Sequence, residues 1–484
     1  MKIAKVIPLF KKDNRHILDN YRPISLLPAV SKVIEKVVFI QVYDYFDKNR
    51  LFYKNQYGFR KLHSTELASL EISDIICEGM DKGKIPLSIF LDLSKAFDTL
   101  DHQILLSKLK YYGLDNTALN WFKSYLTDRT QYVEFDNVHS ETRTIKTGVP
   151  QGSILGPLLF IIYMNDIHIA SDKFHAILYA DDTNLVSSLC SFNVNISNNG
   201  SQDVSNLSAS INHELQQITH WLEINKLSLN IKKTKFMVFH YHQKNISKLI
   251  PDLSIYGHPI ERVNQFNFLG LTIDENLNWH AHIQKISNRI SRALGVLSRV
   301  KRFLPKHILR LLYNSLILPH LQYSVLAWGS QNNRLVKLQK RALRIISNSK
   351  YNAHTDPLFK EMHLLKLNDI FKLNALKLYH NFKNNKLPHF FQDMFTCEQS
   401  HPYETRFATA LSSCPIKTTG AKQRIRFFLP KLLQDIPPNI REKLDTHSMK
   451  GFTSYYKKHV ISEYQSECHI VNCYICGTSY NVSH

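Results

Sequence analysis

Apolar and polar positions alternate with a period of two over Phe174 to Asp181, and the apolar pattern resumes at Leu185-Val186. That spacing predicts a β-hairpin with Asp181 and Asp182 at its turn. The run Leu87 to Leu93 predicts a buried strand that carries a single carboxylate, Asp92. Between the two lies a Gly/Pro loop, Thr147 to Pro157, leading into an apolar helix over Leu158 to Met164 with Pro157 near its first turn. Apolar residues at 30, 34, 37, 38 and 42 predict a helix over Ser31 to Phe46, with Ser31 as its N-cap and Glu35 downstream. Ser94 to Tyr112 reads as a helix with Leu100, Ile104, Leu105 and Leu109 on one side, which makes Asp98 and Asp101 first-turn partners of its dipole. Ser187 to Ser210 is rich in Ser and Asn and reads as a loop before a helix at Ile211 to Leu222; Lys232 to Phe239 reads as a strand.

Further along, Ile283, Ile286, Ile290, Leu294 and Leu297 fall on one side of a helix, while Lys285, Arg289, Arg292, Arg299 and Arg302 keep to the other. Arg334 to Ile346 repeats the design, with Leu335, Leu338, Ala342 and Ile345 as the expected buried stripe. Beyond residue 350 the pattern is mixed helix and loop.

Lone acids at the ends of apolar strands are poor core residues and good cation ligands. Three carboxylates on adjacent strands could hold two divalent ions about 3.5–4 Å apart, an arrangement suited to phosphoryl transfer. Turn chemistry alone would also explain an Asp-Asp pair. The overall charge of +21 favours a polyanionic partner, and nucleic acid is the natural one. A chain of 484 residues is long enough for two or three domains. No signal-peptide core or transmembrane stretch is visible, which predicts an intracellular protein, nuclear or cytoplasmic, with no membrane partner. Seven unevenly spaced cysteines argue against a disulfide framework. Cys468, Cys473 and Cys476 crowd the tail beside His469 and His484, but their spacing fits no known finger well, so zinc is not expected there.

In order along the chain stand Asn20-Tyr21-Arg22-Pro23-Ile24-Ser25-Leu26-Leu27, Gln56-Tyr57-Gly58-Phe59-Arg60, the Asp92 segment, Pro150-Gln151-Gly152, Tyr179-Ala180-Asp181-Asp182, Leu229-Asn230-Ile231-Lys232-Lys233-Thr234-Lys235 and Phe268-Leu269-Gly270. This set, covering roughly residues 3 to 330, resembles the reverse transcriptases of non-LTR (LINE-type, jockey-like) retrotransposons. The resemblance implies an α+β right-hand polymerase: partial fingers over 1–63, palm over 64–270 and thumb over 271–330. A basic, mostly helical region with a Cys-containing tail would follow over 331–484. It also implies a chain that opens within the fingers, an N-terminally truncated member without the upstream endonuclease domain.

The implied activity is RNA-directed DNA polymerisation, with an RNA template, a DNA primer and dNTPs as partners and two Mg²⁺ ions, replaceable by Mn²⁺, as cofactors. Asp92, Asp181 and Asp182 would hold the metals, with the Leu93 carbonyl assisting. Lys233 would act near the departing pyrophosphate, with Lys232 and Lys235 as rivals. Arg22 and Arg60 would grip phosphate, and Gln151 and Gly152 would position template and nucleotide. Phe97 matches the position where an aromatic ring blocks a ribose 2′-OH, and the hairpin over Phe266 to Leu277 matches the primer grip. The alternative is a catalytically silent RNA-binding remnant of the same fold.

Overall fold

A strand buried at every position needs partners on both edges and cover on both faces, and Pro86–Leu91 is such a strand. In the computed structural model, which describes residues 2–11, 13–189, 200–242, 246, 250–329, 333–395, 416–418 and 424–465, it is the central strand of a five-stranded sheet. The order is Glu261–Arg262, Lys235–Val238, Pro86–Leu91, Asp182–Ser188, His175–Tyr179, antiparallel except for the first pair. The register sets Leu91 opposite Thr183 and Tyr179 opposite Asp182. The expected hairpin is therefore present, with Ala180-Asp181 as its two-residue turn.

Two helices supply much of the cover. Leu155–Tyr163 is apolar and buried nearly throughout. Gly200–Ile224 contributes Leu207, Ile211, Leu215, Ile218 and Leu222 to the same core, one stripe at helical spacing. That helix begins well before the expected Ile211, because the Ser/Asn-rich stretch is helical from Gly200 onward; residues 190–199 of the expected loop lie outside the described ones. A second sheet joins Tyr21–Leu26, Ile3–Phe10, Thr130–Phe135 and Val138–His139, and Ile3–Phe10 pairs parallel with Thr130–Phe135.

Two helix boundaries correct the sequence reading. Ser31 is not an N-cap: the helix spans Ala29–Lys48, begins after Pro28, and buries Ser31 and Glu35 inside it. Ser94 to Asp98 is a series of turns, so Asp98 is not helical, and the helix His102–Tyr111 is capped by Asp101, which accepts from the Gln103 and Ile104 N–H groups.

The chain divides into two compact units, Met1–Ser64 with Lys84–Asn264, and Thr65–Gly83 with Gln265–His484. The second part of that unit starts with the hairpin Gln265–Phe268/Leu271–Asp274, turned by Leu269 and Gly270, both left-handed. The helix His280–Val300 buries Ile283, Ile286, Ile290, Leu294 and Leu297 and exposes Arg289, Arg292 and Arg299. In Asn333–Ile346 the buried stripe is Leu335, Gln339, Ala342, Leu343 and Ile346; Leu338 and Ile345 are only half-buried. Gln339 can be core because it is satisfied: its amide donates to the Tyr313 hydroxyl and the Leu365 carbonyl and accepts from the Leu367 N–H, all within 3.0 Å. The three tail cysteines lie outside the described residues.

The helix Thr65–Asp81 carries acids inward. Arg424 donates to Asp74 at 2.9 and 3.0 Å and to Glu78 at 3.0 Å, while Arg426 stands 3.1 Å from Asp74. The Asp74 and Arg424 side chains are only 2% and 6% exposed. Breaking such a pair strands a buried charge, at about 3–5 kcal/mol, whereas an exposed pair such as Lys306–Glu361 is worth at most about 1 kcal/mol. Asp74→Ala should therefore accelerate hydrogen exchange through residues 65–81 at least a hundredfold, and Glu361→Ala should leave it unchanged.

Candidate active site

Each acid owes its place to the sheet. Asp92 follows directly on the last residue of the central strand, level with Asp182 by the register of Leu91 and Thr183. The Asp92 C=O accepts from the Asn230 N–H at 2.8 Å and the Ser94 N–H donates to the Ser228 C=O at 2.8 Å. These two bonds flank Leu93, whose own carbonyl this bridge does not use. Asp181 sits in the turn of the hairpin, and Asp182 opens its second strand.

These groups are close enough to disturb one another. Burial, reinforced by the charges of Asp181 and Asp92, pushes the Asp182 carboxyl up to about 6, although the side chain remains open to water. The Asp181 carboxyl is raised as well, first by burial and then by Asp92, with Arg22 and Lys11 pulling the other way. Lys233 answers Asp92 directly, its Nζ lying 3.2 Å from Oδ2. Among the described residues no group of three His, Cys, Asp or Glu is drawn together as a ready-made cage. The donor set nevertheless fits a hard divalent cation: carboxylate oxygens, mutually repelling, which a positive ion would relieve.

A cleft of about 1340 Å³ opens beside them. Arg22, Asp92, Leu93, Phe97, Gln151, Gly152, Asp181 and Lys233 all line it. Phe97 is held by stacking on Phe160 at 4.5 Å and by an edge contact with Phe59 at 6.3 Å. The Gln151 carbonyl accepts from the Ser25 N–H at 2.7 Å, and its side-chain Nε2 donates to both Asp98 oxygens at 2.9 and 3.1 Å. Gly152 has φ +130°, and a Cβ there would stand 2.5 Å from the Ser25 carbonyl oxygen, so only glycine lets this loop run so close to the strand.

Asp182 and Arg60 do not line the cleft. Asp182 lies on the strand beside it. Arg60, expected to grip phosphate, is spent on the protein: its Nη1 donates to the Tyr53 carbonyl at 2.9 Å and its guanidinium lies 5.0 Å from the centre of the Phe52 ring. Of the rival lysines, Lys235 pairs with Glu261 at 2.5 Å.

Three residues that the sequence reading did not assign to the site belong to its frame. Glu35, 1% exposed, accepts from the Ile154 N–H at 2.6 Å and more weakly from Leu155, anchoring the helix start that follows the Pro150-Gln151-Gly152 loop. A buried carboxylate at a helix N-terminus is favoured by both hydrogen bonding and dipole. Its signal in the sequence was an acid amid the apolar run Val33 to Val38. Asp98 shapes the cleft wall through Gln151, its own carboxyl raised by burial. Gln56 reaches the hairpin turn, its Oε1 accepting from the Ala180 N–H at 3.1 Å.

A sheet with acids at one end, beside a cleft that carries both acidic and basic side chains and the Phe97 ring, is arranged as a nucleotidyl-transfer site would be. The chain belongs to the family described as reverse transcriptase (RNA-dependent DNA polymerase), which matches residues 10–273, more than half its length. Within that family it is of the non-LTR retrotransposon type, a group that uses divalent metal. It is 29% identical over 367 residues to the probable RNA-directed DNA polymerase from transposon BS of Drosophila melanogaster, covering 72% of this chain and 38% of that one. To the RNA-directed DNA polymerase from mobile element jockey of the same organism it is 27% identical, covering 76% and 40%. With the probable polymerase from transposon X-element, also from Drosophila melanogaster, it shares 26% identity, covering 71% and 37%. The chain thus spans about two fifths of the length of these curated relatives. No helix among the described residues is long and apolar enough to cross a membrane.

Because Asp182 titrates at about 6 in the fold and near 4 when unfolded, ionising it weakens the folded state. That penalty is complete above about pH 6 and absent below about pH 4. Asp182→Asn should raise the melting temperature of the metal-free protein at pH 7.5, and the gain should shrink to nothing as the pH falls to about 4.

Proposed function

We propose that this chain carries RNA-directed DNA polymerase chemistry, extending the 3′-hydroxyl of a DNA primer with dNTPs along an RNA template. The carrying observation is the pair of strand-end segments that bring Asp92 and Asp181 to one cleft with Asp182 beside them. Two Mg²⁺ ions, for which Mn²⁺ could substitute, would be held by Asp92, Asp181, Asp182 and the Leu93 carbonyl, and would supply Lewis-acid activation of the hydroxyl and neutralisation of the leaving group. Lys233 offers its proton or its charge to the departing pyrophosphate, and Arg22 pairs with a phosphate of template or nucleotide. Gln151 and Gly152 bring backbone close to the nascent base pair. The Phe97 ring, backed by Phe160, stands against the sugar and excludes a 2′-hydroxyl. With reactants so aligned, positioning and electrostatics account for most of the rate.

A primer-extension assay with RNA template, DNA primer, dNTPs and Mg²⁺ tests the reading. Asp92→Asn and Asp181→Asn each keep shape and lose charge, so each should abolish extension while RNA affinity stays within a few-fold. Extension at near wild-type rate by either variant would remove the metal assignment.

The exposed arginines of the His280–Val300 helix are proposed to track the phosphates of the template–primer duplex. Binding should then weaken steeply with salt, and replacing Arg289 and Arg292 together by Gln should flatten the log–log salt slope by roughly one to two units. An unchanged slope would place the duplex elsewhere.

A further inference from the structure

The strand His175–Tyr179 is the last in its sheet, and its outer edge is taken by the segment from Tyr53 to Gly58. The Leu178 N–H donates to the Asn55 carbonyl at 3.0 Å, and the Tyr57 N–H donates to the Leu178 carbonyl at 2.7 Å. Tyr53 adds its hydroxyl, donating to the Ala176 carbonyl at 2.8 Å. Between these fastenings the Gln56 side chain turns to the hairpin tip. Its Oε1 accepts from the Gly58 N–H at 2.7 Å and from the Ala180 N–H at 3.1 Å. Two donors converging on one oxygen fix which end of the amide faces the turn.

The turn needs such a hold. Ala180 has φ +57°, the left-handed region that a residue with a Cβ avoids. The strap also presses directly on it, since a Cβ on Gly58 would lie 2.3 Å from the Ala180 nitrogen. Gln56 itself is 1% exposed, and its Nε2 has no hydrogen-bond partner among the described residues. A leucine or methionine would fill the same space without leaving a donor stranded, so packing alone does not explain a glutamine here. What the amide adds is an acceptor aimed at the residue before Asp181.

We propose that Gln56 is a positioning residue for the polymerase site: it locks the Ala180-Asp181 turn and so sets where the Asp181 carboxylate stands. The proposal rests on the polymerase reading above for its consequence, but not for its geometry. The motif Gln56 to Arg60 then serves the catalytic hairpin from behind, with only Phe59 reaching forward to Phe97.

The test is hydrogen exchange at the Ala180 amide in the full chain without metal, nucleotide or nucleic acid, paired with primer extension. Wild type should protect this amide, and Gln56→Met should speed its exchange roughly tenfold or more. Gln56→Glu, which keeps an acceptor oxygen at this place, should restore protection. In extension, Gln56→Met should lose about a hundredfold in kcat while KM for dNTP moves less than about threefold, and Gln56→Glu should recover at least about tenfold of the loss. A wild-type Ala180 amide that exchanges like an open turn overturns the proposal, as does Gln56→Met with unchanged exchange or unchanged kcat. Should Gln56→Met not fold, Gln56→Asn, whose shorter amide cannot reach Ala180, takes its place. If the wild-type chain extends no primer, the polymerase reading falls while the exchange data still decide the clamp.

Discussion

Like charge crowded at the end of an apolar sheet is the condition around which the first unit is built. The central strand is buried throughout, with its one polar side chain, Ser88, bonded to Asn184, and the hairpin beside it brings two more acids level with Asp92. Burial and mutual repulsion act together there, which is why the Asp182 carboxyl titrates well above the usual carboxylate range. Lys233, Arg22 and Lys11 answer part of that charge from the cleft side. The rest is left unanswered, as the proposed binding of a divalent cation there would require.

Holding repelling groups in place requires a stiff frame, and the frame is made of hydrogen bonds that are individually modest. Glu35 fixes the helix that follows the Pro150-Gln151-Gly152 loop, Gln151 fixes Asp98, and Gln56 meets Ala180. A bond to a charged group contributes about 1.5–3 kcal/mol, and a neutral one nearer 1 kcal/mol. None of these would be expected to decide whether the chain folds. Their weight lies in position, because a displacement of about 1 Å at a reacting centre can cost a hundredfold in rate. Under the proposed polymerase reading, the frame residues belong with the chemistry although they touch none of the reacting atoms.

Period and spacing in the sequence revealed the hairpin, the central strand and the basic face of His280–Val300, because each repeats a local rule over many residues. What they could not reveal was how single polar side chains are used. Ser31 followed by Glu35 has the form of a capping box, yet Pro28 starts the helix and leaves Glu35 to serve a different helix 119 residues away. Arg60 stands in a motif with Phe59 and Gly58, but Tyr53 and Phe52 claim its guanidinium. Leu100, Ile104 and Leu105 share a side and so predict a helix around Asp98; the turns before Asp101 interrupt that period without changing the composition. Gln339 was invisible for the opposite reason, since a buried amide with three partners leaves no hydrophobic mark.

The second unit depends on pairings that no local pattern encodes. Its helix Thr65–Asp81 is separated from the rest of the unit by the whole stretch Lys84–Asn264. The acids on it meet their partners 336 to 350 residues further on: Asp81 accepts from the Lys417 and Thr418 N–H groups, and Asp74 from Arg424. Closing loops of that length is entropically costly only in the logarithm, so burial of the apolar faces can offset it, and the acids desolvated in the process need their partners to avoid standing as uncompensated buried charges. Speed is a different matter, because domains rich in contacts distant in sequence fold slowly. Without Lys417, Thr418, Arg424 and Arg426, Asp74 and Asp81 would lose these partners and stand as buried charges without compensation. The central strand begins at Pro86, a few residues beyond that helix, so the segment carrying Asp92 is covalently tied to a helix whose acids find partners more than 300 residues further along the chain.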